Sequence, residues 1–500
     1  MQQHSGADFV DREAELAFLE RKHAEPGAKL IVIYGRRRVG KTALIKRFIE
    51  GKRGAYVLCT RDSMGENTKE LRRKFADLTG KGYFASLETA SLGDLLRIFA
   101  EEAGAGRFAL ALDEFPYLIE LEPGVTSTLQ KAWDEHLSRT GCMLLLCGSS
   151  VSMMERDVLG AGSPLYGRRA GDWRLDPFEP GAVRLMFPGM TAEDAFRAWA
   201  VFGGTPFYLA QYDPSKGIEE NIEERVLSKG EVLFNEPMVL LREEFREPRV
   251  YAFILKQISL GYRSLGELSQ VTGLDRGNLS KYLGVLEETR LIRHVLPLGQ
   301  RKRGQYLIDD PFFLFWFRFA YPNMGDLELG MARTVMDRIM PMLGQHYGEM
   351  FHRMVMGMLK TGSVPAPFPI AEAGQWWHKG TEIDIVATGT RAGDGRAAGS
   401  QMLFCECKWQ EGVDPERLAG ALRAKADEFV GRGQSRAGST SRFYLFARSF
   451  SSRPELPDTT LFDMDDLGRI GFGIGAGRQG AGAGRNAGAA KARGSSGSGQ

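Results

Sequence analysis

The run Gly35-Arg36-Arg37-Arg38-Val39-Gly40-Lys41-Thr42 constrains this chain more than any other stretch. It follows an apolar strand candidate at residues 30–34 and opens a helical pattern at residues 43–50. The two glycines let the backbone wrap closely around an anion, and the loop amides with the helix N-terminus supply positive partial charge. Lys41 then reaches the β- and γ-phosphates of a nucleotide, and the Thr42 hydroxyl ligates Mg²⁺. The expectation is a phosphate-binding loop formed by Gly35, Arg36, Arg37, Arg38, Val39, Gly40, Lys41, Thr42 and Ala43, taking ATP and Mg²⁺. A chance match is the alternative in a chain with 61 glycines, but the strand and helix flanks argue against it.

A second apolar run, residues 108–112, ends in Asp113 and Glu114. An acid at a strand tip holds Mg²⁺ through water, and the next carboxylate orients and polarises the attacking water, so Asp113 is read as a metal residue and Glu114 as catalytic. The strand candidate at 143–147 runs into Gly148-Ser149-Ser150 at the edge where open α/β sheets bind ligands. Ser149 or Ser150 either senses the γ-phosphate or caps a helix. Further on, Arg168 and Arg169 offer cations for the transition-state charge, in cis or across a subunit contact.

A net charge of only +2 gives no whole-chain basic field, so any nucleic-acid contact must come from local patches. The five cysteines lack zinc spacing, four of them sit in strand-like apolar runs, and they read as reduced core residues of a cytoplasmic protein. The N-terminus lacks the basic and apolar regions of a signal peptide, and the apolar stretch near residues 312–321 is too short for a bilayer and carries Arg318. No membrane association is expected.

The segment from Phe9-Val10-Asp11-Arg12-Glu13 with Leu16, followed by G-R-R-R-V-G-K-T, L-D-E-F, C-G-S-S, S-P-L-Y-G-R-R and G-G-T-P-F-Y, resembles the archaeal-type ATPases on the AAA+/STAND side of the P-loop ATPases. The resemblance covers nearly all of residues 8–465. It implies an α/β multidomain chain: a P-loop NTPase parallel sheet with a helical lid, a winged helix and a restriction-endonuclease-like α/β domain. It also implies that Phe9, Val10 and Arg12 border the base, although Asp11 stands where a glycine is usual, and that Pro206 packs near the nucleotide. The expected units are an ATPase core at 8–210, a lid or connector at 211–250, a winged helix at 251–310, an aromatic connector at 311–339, a nuclease-like domain at 340–465 and a disordered tail at 466–500.

Within 251–310, residues 264–273 and 278–288 carry helix-turn-helix patterning, with Leu279, Leu283 and Leu286 on one face. Arg276, Asn278 and Lys281 lie on the opposite face, and Arg301, Lys302 and Arg303 crowd a hairpin tip. These six are the candidate contacts to double-stranded DNA, the alternative being a packing module with a solvated hairpin. The aromatic run at 311–319 reads as glue between domains rather than a ligand site.

Toward the C-terminus, Asp384 lies on one strand face, and Glu406 and Lys408 share a face of the next. Two carboxylates hold Mg²⁺ or Mn²⁺ against a scissile phosphate while a lysine orients water or steadies charge. Resemblance to restriction-endonuclease-like domains lends Glu349 as a third acid. The alternative is a degenerate nuclease fold kept for binding. Oligomeric state stays open.

Overall fold

The computed structural model describes residues 9–87, 91–103, 106–300, 302–389, 401–431 and 440–471. Arg301 and the tail beyond residue 471 lie outside the described residues.

Five strands, β1 (Lys29–Tyr34), β2 (Gly54–Leu58), β3 (Arg107–Asp113), β4 (Gly141–Gly148) and β5 (Arg169–Arg174), form one sheet in the order β2-β3-β4-β1-β5. Every neighbouring pair is parallel. The apolar runs of β1, β3 and β4 are continuous because helices cover both faces. Leu30 and Val32 face one core with Leu110, Leu112, Leu144 and Leu146. Ile31 and Ile33 face the other, under Leu44, Ile45 and Phe48 of the helix Lys41–Ile49. The expected α/β P-loop core is therefore present. β5 escapes a sequence reading because Arg-Ala-Gly-Asp-Trp-Arg is a half-buried edge strand paired only with β1. The carboxyl ends of β1, β3 and β4 gather the phosphate loop, Asp113 with Glu114, and Ser149 on one edge of the sheet.

Helices follow, among them Ala192–Phe202, Pro206–Leu209 and Glu236–Glu244. Next come Leu265–Thr272, Arg276–Glu288 and an antiparallel hairpin of β6 (Ile292–Val295) and β7 (Gln305–Ile308). The first helix of this pair starts with a Ser264–Glu267 capping box, and the second with Asp275 accepting from the Gly277 and Asn278 amides. Leu279, Leu283 and Leu286 are its buried face.

Phe312, Phe313, Phe315, Trp316 and Phe317 are fully buried. They belong to one apolar core that runs from Phe178 through the helical region to Tyr444 and Phe446 of a second sheet. That sheet is mixed, with β8 (Ile370–His378), β9 (Thr381–Gly389), β10 (Gln401–Lys408), β11 (Thr440–Ala447) and β12 (Thr459–Phe462) in the order β12-β11-β10-β9-β8. β10 pairs antiparallel with β9 and parallel with β11. The β6–β7 hairpin loop docks on this sheet: Leu298 is buried beside Trp376, and its amide donates to the Gln375 carbonyl at 2.9 Å. Among the described residues, no helix is long and apolar enough to cross a membrane.

Candidate functional site

Gly35 has φ +151°, and a Cβ there would sit 2.3 Å from the Leu175 carbonyl oxygen, so no side chain fits. Gly40, at φ +95°, turns the chain into the helix Lys41–Ile49. Lys41 is buried and its Nζ donates to the carbonyls of Gly35 at 2.8 Å and Arg36 at 2.9 Å. The lysine thus closes the loop on itself in a position that a triphosphate would take over. Burial pushes the Lys41 ammonium below its ordinary range.

Asp113 is fully buried. Its Oδ2 accepts from the Thr42 hydroxyl at 2.6 Å and the Tyr56 hydroxyl at 2.7 Å, and its Oδ1 accepts from the Glu114 amide at 3.0 Å. Loop hydroxyl and strand-end acid therefore converge as hard oxygen donors, the set that Mg²⁺ accepts alongside phosphate oxygens and water. Glu114 stands at φ +55°, a left-handed conformation rare outside glycine. Its Oε2 accepts from both the amide and the hydroxyl of Ser149, at 3.1 and 2.7 Å. Of the two serine readings, capping does not describe Ser149, whose hydroxyl is spent on Glu114. Ser150 takes the N-cap position with no side-chain cap bond.

The three loop arginines each meet an acid from a downstream element. Arg36 pairs with Asp310 at 2.9 Å, Arg37 with Glu243 at 2.9 Å and Glu244 at 3.3 Å, and Arg38 with Glu236. Arg37 also donates to the Tyr117 hydroxyl at 3.1 Å, and Arg38 lies 4.3 Å over the Phe207 ring, next to Pro206. These arginine side chains serve the loop's attachment to its surroundings. Sequence reasoning missed Tyr56, Tyr117 and the acids, since nothing in spacing pairs them with the loop.

Arg12 is buried and braces the loop from outside, donating to the Val39 carbonyl at 3.1 Å and the Asp176 carbonyl at 2.9 Å, with its guanidinium 4.5 Å from the Phe178 ring. Phe9 shares a cleft with Ala43, Lys46 and Tyr56, and Val10 packs against the large apolar core. Arg168 and Arg169 require a correction. Arg169 pairs with Leu30 at the start of β1, whereas the loop leaves from Tyr34. Four residues of strand put it roughly 13 Å from that end. Arg168 is held by Asp134 through two contacts of 2.7 Å. In this chain both sit away from the edge of the sheet that carries the phosphate loop, so neither makes a contact in cis with that loop.

In the second sheet, the β9–β10 register carries Cys405 opposite Ile385, so Asp384 and Glu406 fall next to each other across the strands. Asp384 accepts from the Cys407 amide at 2.8 Å; burial, then the nearby Glu406, push its carboxyl above the ordinary range. Glu406 is buried and receives Lys408 at 2.8 Å and Lys425, from the helix Pro415–Phe429, at 2.9 Å. Glu349 is not with them. It is clamped by Arg263 at 2.6 Å and Arg318 at 2.7 Å, because the side chain leaves the helix Leu343–Thr361 on the face toward the connector. Burial raises its carboxyl, but the two arginines override this and hold it at about 2. One turn later, His352 reaches the Asp384 carbonyl at 2.8 Å. Among the described residues, no group of three or more His, Cys, Asp or Glu is arranged to hold a metal ion. Arg276, Asn278, Lys281, Lys302 and Arg303 are all exposed.

Residues 9–212 match the family described as an ATPase domain predominantly from Archaea, and residues 316–421 match one of archaeal and bacterial proteins of unknown function. The uncharacterized protein MJECL04 of Methanocaldococcus jannaschii is 30% identical over 467 residues, 92% of this chain and 99% of that protein. An uncharacterized ATP-binding protein of the same organism, MJ0423, is 64% identical over 45 residues, 9% of this chain and 76% of its own length. Among solved structures, the Walker-type ATPase PABY2304 of Pyrococcus abyssi is 23% identical with a TM-score of 0.48, covering 62% of this chain and 96% of that one. With a phosphate loop, strand-end acids and identity along nearly the whole of an archaeal relative, this chain belongs to the family of proteins built on the ATPase domain found predominantly in Archaea.

Proposed function

We propose that this protein binds ATP with Mg²⁺ and hydrolyses it, and that nucleotide state governs a nucleic-acid-directed C-terminal unit. The observation that carries the first part is the meeting of Thr42 and Asp113 at 2.6 Å beside the buried Lys41, with Glu114 next in the chain. Bound Mg²⁺ would neutralise charge on the β- and γ-phosphates. Lys41 would leave its carbonyls for the phosphate oxygens. The loop amides would hold the triphosphate in place, and Glu114, once released by Ser149, would orient the attacking water.

The test is turnover with ATP and Mg²⁺. Glu114→Gln should keep nucleotide binding and lose on the order of 10²-fold or more in rate, and Lys41→Ala should lose binding. Rapid turnover by both variants would refute the assignment.

For the C-terminal unit, the adjacency of Asp384, Glu406 and Lys408 supports a metal-dependent nuclease centre, and the helix pair with its hairpin supports a winged helix. Arg276, Asn278, Lys281, Lys302 and Arg303 would be the contacts to double-stranded DNA. A specific observation favours a second reading, a switch or scaffold that binds without cutting. Glu406 is already neutralised by two lysines, and the third acid is engaged elsewhere. Cleavage with Mg²⁺ or Mn²⁺ that Asp384→Ala and Lys408→Ala both abolish selects the nuclease. Its absence in wild type selects the switch.

A further inference from the structure

Tyr56 lies in β2, outside the phosphate loop, and its backbone is paired with Ala111, two residues short of Asp113. Its side chain spans that interval and delivers its hydroxyl to Asp113 Oδ2 at 2.7 Å, the same oxygen that Thr42 contacts at 2.6 Å. Ala55 and Val57 point to the opposite face of the strand and are buried. On the Tyr56 face, the ring packs against the apolar layer under the helix Lys41–Ile49, with Lys46 Nζ 4.9 Å above it. A phenylalanine would fill that place equally well, so packing does not require the hydroxyl.

We infer that Tyr56 is a positioning residue for the magnesium-tethering acid, setting the orientation of the Asp113 carboxylate and hence the affinity for Mg²⁺ in the nucleotide complex. The inference rests on the ATP–Mg²⁺ reading. The carboxylate is fully buried, and the donors that hold it include the Glu114 amide on Oδ1 and Thr42 and Tyr56 on Oδ2, with the Cys147 thiol also in contact. Thr42 would have two duties in a loaded site, because its hydroxyl would also serve the metal while donating to Asp113. Tyr56 is then the donor on Oδ2 that comes from outside the phosphate loop, and it keeps the acid aimed. Losing it frees the carboxylate to rotate and weakens the metal, while leaving the amides and Lys41 to bind phosphate as before.

The experiment uses the full chain, a fluorescent ATP analogue and Mg²⁺ titration, with wild type and Tyr56→Phe side by side. Tyr56→Phe should raise the Mg²⁺ concentration at half-effect roughly tenfold, the size expected for one hydrogen bond to a charged acceptor. Its affinity for the analogue in EDTA should match wild type, and its Tm should fall modestly, because the bond to the buried Asp113 carboxylate is present without nucleotide. A purely structural role would lower Tm and leave the Mg²⁺ midpoint in place. A midpoint within about twofold of wild type overturns the inference and leaves the ATPase reading intact. If wild type binds the analogue with Mg²⁺ but never turns over ATP, hydrolysis falls and the midpoint shift still decides the role of Tyr56. A wild type that binds no nucleotide overturns both.

Discussion

Arg36 in the phosphate loop and Asp310 at the head of the aromatic connector, 274 positions apart, meet in an ion pair of 2.9 Å. Asp310 is buried, and its other oxygen caps the helix Pro311–Phe315, accepting from the Phe312 and Phe313 amides at 2.8 and 3.2 Å. The loop that would hold phosphate and the segment that leads into the second sheet are therefore fastened by one carboxylate. Arg37 and Arg38 repeat the arrangement with acids of the helix Glu236–Glu244.

Asp310→Ala should destabilise the protein more than Arg36→Ala. Both break a largely buried pair, for which removing one partner costs about 3 kcal/mol, and the aspartate variant also gives up a helix cap worth about 1 kcal/mol. Thermal unfolding of the two variants checks the order. Equal or inverted Tm losses would show that the carboxylate's double contact carries no weight.

Ser149→Ala should raise basal ATP turnover several-fold. The Ser149 hydroxyl holds Glu114 Oε2 at 2.7 Å, and hydrogen bonds to charged groups are worth about 1.5–3 kcal/mol, enough to keep the carboxylate from the attacking water. Steady-state rates at saturating ATP decide the matter. A fall in rate would instead mark Ser149 as a γ-phosphate sensor.

Acidification should weaken the fold between about pH 6.5 and 4 through His346. The ring is fully buried, with Nε2 2.8 Å from the Ala200 carbonyl and Nδ1 3.2 Å from Arg318. Burial, then Arg318, lower its pKa from 6.5 to about 4. The unfolded chain therefore binds a proton that the native state refuses, stability falls with pH across that window, and the loss amounts to ~3 kcal/mol. Glu349, depressed from 4.5 to about 2, adds a second loss as pH falls through that lower range. Denaturant unfolding at stepped pH measures the slope, and His346→Gln should flatten the upper part. An unchanged slope would show that some other group governs it.

Lys425→Ala should tighten Mn²⁺ binding to the C-terminal unit, and Asp384→Asn should abolish it. Lys425 contacts both oxygens of Glu406 at 2.9 Å, so it competes with any cation for that carboxylate. Electron paramagnetic resonance of free Mn²⁺ gives the affinities. Weaker binding by Lys425→Ala would mean that the lysine supports the site instead of competing for it.

Duplex binding should weaken with salt, and Lys281→Ala and Lys302→Ala should each flatten the dependence by about one unit of slope if they contact phosphate. Parallel slopes for variants and wild type would place DNA elsewhere or nowhere.

The phosphate loop, the strand-end acids and the interior strands of the first sheet were legible because they are local: contiguous apolar runs, a fixed glycine spacing and a hydroxyl beside a lysine. β5 and β8 were not, since half-exposed strands such as Arg169–Arg174 and Ile370–His378 carry no unbroken apolar run. Asp384, Glu406 and Lys408 were legible as a face because strand periodicity is exactly two residues.

What the sequence alone determined is where an anion-binding turn must form and which acids end the neighbouring strand, because glycine torsions and strand alternation act within a few residues. Only the tertiary structure decided that Glu349 joins Arg263 and Arg318, that Arg168 and Arg169 lie at the far edge of the first sheet, and that each loop arginine finds its own acid. Ion pairs form between groups that packing brings together, and attraction across hundreds of residues leaves no periodic trace in the chain.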